Sequence, residues 1–235
     1  MKDVQNSVSK RKFPKTYHVP WSPGVQSDDR VFKNMRHLEG KMIVVTEKLD
    51  GENTSMARDF IHARSLDSPS NWTRAWVTKM HSALKHDIPD NMKLVGENLF
   101  AEHAIRYPDG SLQSYFYLFS MWSDVEGSED DYCLHYDDIV EYAELFDLPM
   151  PKVLYRGIYD EKLLQDLQKT INFDLSEGYV IRTVDGFFRR DFKNCVAKFV
   201  RANHVQDESE HWLKNAKQNG KLADKVMPYF MAQAK

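Results

Sequence analysis

Apolar and polar positions alternate on a short period along much of the chain, and the period lengthens in only a few places. "KMIVVTEKL", residues 41–49, is a strand pattern rich in β-branched residues. Beyond Asp50-Gly51 a second strand pattern, "TSMARDFIHARS", begins, so the two read as a hairpin with Asp-Gly as its turn. "SPSNWTRAWVTKMHSALKHDIP" changes to helical spacing, with Ser-Pro at its start and Pro89 at its end. "KLVGENLFA" and the aromatic run "SYFYLFSMW" are again strand-like, and "DDIVEYAELFDLP" and "DEKLLQDLQKTI" are amphipathic helices. "EGYVIRTVDGFFRR" reads as a strand, an Asp-Gly turn and a second strand, and "NCVAKFVR" as one more strand. The stretch up to about Arg30 is irregular and proline-rich, while the tail from "DESEHWLKNAKQ" onward reads as helix, interrupted at Asn219-Gly220. Hairpin turns outnumber βαβ units, which makes the expected class α+β with antiparallel sheets.

Composition narrows the class. The 235 residues suffice for one large domain or two small ones, and 42% apolar content supports a real core rather than disorder. A net charge of −3 argues against a broadly basic coat but leaves room for a local nucleic-acid groove. Cys133 and Cys195 have no CxxC spacing, so neither a disulfide framework nor a zinc site is suggested, and a reducing compartment is the natural setting. No apolar run approaches the ~20 residues of a membrane span, and the start "MKDVQNSVSKRKFPK" lacks a signal-peptide core. A soluble, cytoplasmic protein without a membrane partner is expected, its oligomeric state open.

The candidate chemistry centres on Lys48, a single amine between an apolar strand and a turn, with Glu47 before it and Asp50-Gly51 after. Other short stretches also place a charged or aromatic group on a strand or beside a turn: Arg64 in "IHARS", Glu97 in "LVGEN", Phe119 in "FYLF", Glu177 in "SEGYVIR" and Lys198 in "VAKFV". Phe116 and Tyr117 compete with Phe119, Arg58 with Arg64, and Glu102 with Glu97. "KRKFPK" reads equally as a phosphate-binding arm or a solvated terminus. His18 and Trp21 are substrate-contact candidates, although Trp21 could equally pin the N-terminal segment to the core.

"EKLDG" resembles the KxDG motif of the covalent nucleotidyltransferases, the superfamily of ATP-dependent DNA ligases, RNA ligases and capping enzymes. "FYLF", "SEGYVIR" and "AKFV" resemble its later elements, in the family's order from Glu47 to Lys198. Glu directly before the lysine, together with "FPKTYHVPWSPG" and "AKFVRANHVQ", makes the resemblance greatest to bacterial and phage RNA ligases. It implies a ligase-type nucleotidyltransferase domain over 1–200: two antiparallel sheets flanked by helices, with an ATP cleft between them, and an irregular extension over 1–40. A short helical tail over 201–235 follows, too short for an OB domain, which favours RNA over DNA as substrate.

The implied roles follow residue by residue. Lys48 is the nucleophile that forms lysyl-AMP. A free lysine, with a pKa near ~10.4, is only about one part in a thousand neutral near pH 7, so nearby cations must lower its pKa. Lys198 holds the α-phosphate, and Glu177 binds a divalent metal, Mg²⁺ or Mn²⁺. Phe119 stacks on adenine, Glu47 accepts from its exocyclic amine, Glu97 meets the ribose, and Arg64 the sugar–phosphate and later the 5′-phosphate end. Asp50 and Gly51 shape the turn, with Asp50 acting in later steps. The family's last motif reads Lys-x-Lys, whereas this chain has Val200 at the second position and Arg201 next, a substitute second phosphate contact only if a twist turns it inward. The implied activity is ATP-dependent joining of a 5′-phosphate RNA end to a 3′-hydroxyl. The alternatives are a DNA or RNA/DNA nick ligase, or a non-catalytic binding module of the same fold.

Overall fold

The computed structural model describes residues 8–67, 70–128, 130–202 and 215–223. Tail segments 203–214 and 224–235, expected to be helical, lie outside the described residues. The described part from 216 to 223 is not helical: it runs extended and forms a bridge from Gln218 to Ala101. Asn219 explains why, since its buried amide is used up by the 99–107 backbone rather than left to solvate a helix.

Among the described residues, one sheet contains β1 (Tyr17–His18), β2 (Met42–Lys48), β8 (Val153–Ile158), β9 (Gly178–Thr183) and β11 (Val196–Val200), in the order β1-β11-β9-β2-β8. The other contains β3 (Glu52–Met56), β4 (Ile61–Ala63), β5 (Met92–Asn98), β6 (Phe116–Asp124), β7 (Asp131–Cys133) and β10 (Phe187–Phe188), in the order β10-β7-β6-β5-β3-β4. Pairing is antiparallel except between β1 and β11. Thus part of the expected irregular extension is a strand of the first sheet.

β2 shows why these residues form a central strand. Ile43 and Val45 pack with Leu164, Tyr179, Ile181 and Phe199 on one face, while Val44 meets Tyr136 and Val184 on the other. α3 (Glu161–Leu167), capped by the Asp160 carboxylate on Leu163 N–H, covers the outer face of this sheet. α1 (Ala75–Leu84) and α2 (Tyr136–Leu145) cover the outer face of the other. Val77, Met80 and Leu84 from α1, and Ile139 and Ala143 from α2, meet Leu94, Phe116, Leu118 and Met121 there. Ahead of α1 the Asn71 side chain accepts from Thr73 N–H at the start of a 3-10 turn, so the helical run begins later than the Ser-Pro predicts.

The hairpin expected at Asp50-Gly51 is absent, for β2 and β3 lie in different sheets. Lys48 still pairs with Gly178 of β9, and Glu52 already pairs with Asn98 of β5. The bend is therefore a corner between sheets, its polar groups met by a distant loop: Asp50 N–H donates to the Tyr107 hydroxyl at 2.9 Å, and the Asp50 carboxylate accepts from Ile105 N–H at 2.6 Å. Gly51 is required by close approach, since a Cβ there would lie 2.4 Å from the Asn98 carbonyl oxygen. Asp185-Gly186 makes a second corner, between β9 and β10.

Candidate active site

Both sheets turn an inner face to one cleft of about 450 Å³. Lys48 enters it at the end of β2, where the chain leaves one sheet for the other. Glu177, just before β9, is tied to the same point: its N–H donates to the Lys48 carbonyl at 2.9 Å, and the Ser176 hydroxyl donates there at 3.0 Å. The Glu177 carboxylate, 1% exposed, forms an ion pair with the Lys48 ammonium. Lys198 reaches the cleft from β11, opposite Val180 of β9, and its Nζ donates to Asp29 Oδ1 at 3.2 Å.

From β5, Glu97 accepts from Gly51 N–H at 3.1 Å. Phe119 and Ser120 both line the cleft because β6 bulges against β5: Val95 pairs with Ser120 but Gly96 with Leu118, leaving Phe119 as the extra residue. This separates the aromatic candidates. Phe116 is sealed in the outer core, and the Tyr117 hydroxyl accepts from Gln113 N–H. Phe119 alone of the three lines the cleft, its ring centroid 5.6 Å from that of Phe13 in an edge-to-face arrangement.

Burial sets the electrostatics. It pushes the Lys48 ammonium below its ordinary pKa; Glu97 and Asp50 oppose this, and Lys198 and Arg64 add to it. Burial likewise lowers Lys198 against the opposing pull of Asp29, and raises Glu47 against the Lys152 N–H it accepts from. The Glu97 carboxyl is raised to about 7, first by burial, with Lys48 opposing.

Glu47, Lys48, Arg64, Glu97, Phe119, Glu177 and Lys198 therefore line one cleft, although they lie as far apart in sequence as residues 47 and 198. Arg64 is exposed at its lip and forms no hydrogen bond or ion pair with another described residue. The competing Arg58 is engaged by Asp90 and Ile88, and Glu102 by Arg106. Asp50 is fully buried, faces the 105–107 backbone and does not line the cleft. Val200 lines it, whereas Arg201 does not and has its Nε buried. The sequence reading missed Asp29; Phe13 and Lys15 of the KRKFPK stretch and the candidate His18 line the cleft with it. Trp21 donates to the Tyr179 hydroxyl at 2.8 Å, which pins the N-terminal segment to the core. Among the described residues, no group of three or more His, Cys, Asp or Glu side chains could hold a metal ion by itself.

The family model described as RNA ligase matches residues 41–200. No curated protein matches the sequence. Among solved structures, two forms of an archaeal ATP-dependent RNA ligase are similar. Form 1 is 13% identical, with 82% of this chain and 48% of that chain covered, at a TM-score of 0.52. Form 2 is 12% identical, with 81% and 48% covered, at 0.51. A Naegleria gruberi RNA ligase with pyrophosphate is 18% identical over 84% of this chain and 60% of that one, at 0.48. The chain spans about half the length of the archaeal structures it matches.

Proposed function

Because the chain belongs to the RNA ligase family, we propose that it is an ATP-dependent RNA ligase working through an adenylated lysine. The observation that carries this reading is one half-buried amine, Lys48, paired with the buried Glu177 carboxylate in a cleft that Lys198 and Arg64 also line. When Glu177 turns from Lys48 toward the incoming nucleotide, burial, Lys198 and Arg64 favour the neutral amine against the pull of Glu97 and Asp50. The Lys48 Nζ then attacks the α-phosphorus of ATP; the P–N bond forms, the bond to the β-phosphate oxygen breaks, and pyrophosphate leaves. Lys198 and Arg64 take up negative charge on the phosphates. Phe119 offers its ring to the adenine, and Glu47 accepts from the exocyclic amine.

Next a 5′-phosphate oxygen of RNA attacks the lysyl-AMP phosphorus, the P–N bond breaks and Lys48 is restored. The 3′-hydroxyl then attacks the 5′-phosphorus, and AMP departs. Glu177, with hard carboxylate oxygens, would hold Mg²⁺ or Mn²⁺ together with phosphate oxygens and water, as suits a site with few protein ligands. Bound there, the ion would neutralise charge at the α-phosphate.

Incubation with α-labelled ATP and a divalent metal tests the reading. The chain should carry label through a denaturing gel, Lys48→Ala should carry none, and labelled GTP should give far less. Absence of label from the wild type with both Mg²⁺ and Mn²⁺ sinks the proposal. Sealing of nicked RNA, nicked DNA and single-stranded RNA with 5′-phosphate ends then reports the substrate, and equal sealing of an all-DNA nick counts against RNA.

A further inference from the structure

The parallel pairing of β1 with β11 sets His18 directly beside Lys198, and Val19 N–H donates to the Lys198 carbonyl at 2.8 Å. Asp29 then bridges the two side chains. Its Oδ1 is 3.2 Å from Lys198 Nζ, and its Oδ2 is 3.0 Å from His18 Nε2 and accepts from Gln26 N–H at 3.1 Å. Behind the fully buried His18, Ser22 Oγ lies 2.8 Å from Nδ1. That hydroxyl also accepts from Val200 N–H at 2.9 Å and donates to the Val200 carbonyl at 3.2 Å. One short N-terminal stretch thus grips both the backbone just beyond Lys198 and the Lys198 amine. Asp29 is only 13% exposed and its carboxylate is anchored by Gln26 N–H as well as by Lys198, with the His18 ring packed against it, so the lysine is what is held. Burial acts against its carboxylate, but Gln26 N–H, Lys198 and His18 together keep its pKa below the ordinary value.

We infer that Asp29 is a positioning residue for Lys198, aiming its ammonium group at the phosphate of the bound nucleotide. The inference rests on the nucleotide reading above. A free lysine gives up rotamer freedom when it is fixed. A lysine already fixed by Asp29 has lost that freedom before the phosphate arrives, and the saving appears as affinity. The opposite role would be a placeholder, with Asp29 occupying Lys198 until phosphate displaces it. The two roles differ in sign.

The test is a double-mutant cycle read by ATP affinity in equilibrium dialysis, with ATP taken into the millimolar range. Every chain carries Lys48→Ala to prevent turnover. With Lys198 present, Asp29→Asn should weaken ATP binding about tenfold, the usual scale for losing a hydrogen bond to a charged group. With Lys198→Ala, the same substitution should leave binding unchanged or tighten it, because a bare carboxylate beside the phosphates is then removed. Tightening or no change with Lys198 present overturns the inference in favour of a placeholder. Equal weakening in both backgrounds overturns it in favour of general damage. If the wild type takes label from ATP and the cycle gives either of these results, this inference alone falls. If the wild type takes no label and the Lys48→Ala chain binds no ATP, the nucleotide reading itself has failed.

Discussion

Glu97 has a carboxyl that burial moves from 4.5 to about 7, so at neutral pH the fold holds it close to half-protonated beside the Lys48 amine. The sign of the effect on stability follows from linkage. A carboxyl raised in the folded state supports folding while it is protonated. That support is whole below the unfolded value of 4.5 and is lost as pH rises through about 7. Glu97→Gln has no proton to lose and still offers Gly51 N–H an acceptor. Its unfolding free energy, measured in urea, should therefore fall less than that of wild type between pH 4.5 and pH 8, by a margin of up to about 3 kcal/mol. Parallel stability curves for the two chains would contradict the burial assigned to this carboxyl. Should the variant also lose label from ATP, Glu97 serves the nucleotide as well as the fold.

At the scale of elements, β9 and β11 approach so closely that position 178 admits no side chain. A Cβ on Gly178 would stand 1.9 Å from the Phe199 carbonyl oxygen, and the backbone there has φ +155°. Gly178→Ala must part β9 from β11, and because Gly178 also pairs with Lys48, the shift reaches the cleft. A loss of at least about 3 kcal/mol is expected in urea unfolding, and a loss under about 1 kcal/mol would argue against that close approach. This same packing marks what the sequence could convey. Long periodic runs such as 42–48, 116–124 and 178–183 carry their own signal, and the amphipathic helices do too. The corners at Asp50-Gly51 and Asp185-Gly186 do not. An Asp-Gly bend looks the same whether its strands pair with each other or with distant partners, and here Gly178 and Asn98 take them. Asp131–Cys133 is too short to show a period, and Val153–Ile158 is an edge strand with mixed exposure. Lys48, Glu177 and Lys198 were legible because each lies in a distinctive short motif. Asp29 was not, because it meets Lys198 only through the parallel pairing of the N-terminal β1 with the distant β11, which leaves no local pattern.

Across the whole molecule, the described tail is wired to the Asp50-Gly51 corner through one loop. Asn219 donates to the Leu99 and Ala101 carbonyls at 2.9 and 3.0 Å, and accepts from Tyr107 N–H at 2.9 Å. The Tyr107 hydroxyl in turn accepts from Asp50 N–H, and Ile105 N–H donates to the Asp50 carboxylate, two positions from Lys48. Removing the Asn219 amide leaves three buried backbone groups without that partner, at ~1–3 kcal/mol for each that stays unmet. Asn219→Ala should therefore cost on the order of 3 kcal/mol by urea unfolding. It should also slow labelling from ATP, since the 105–107 backbone that holds Asp50 is then loosely anchored. Asn219→Asp separates the two sides of the amide: it keeps an acceptor for Tyr107 N–H but loses both donors, and brings a charge into a site only 3% exposed. If the link through Tyr107 is the one that matters to the corner, Asn219→Asp should label faster than Asn219→Ala even where its stability is no better. Equal labelling rates for the two variants at matched stability would mean that the tail supports the fold without reaching Lys48.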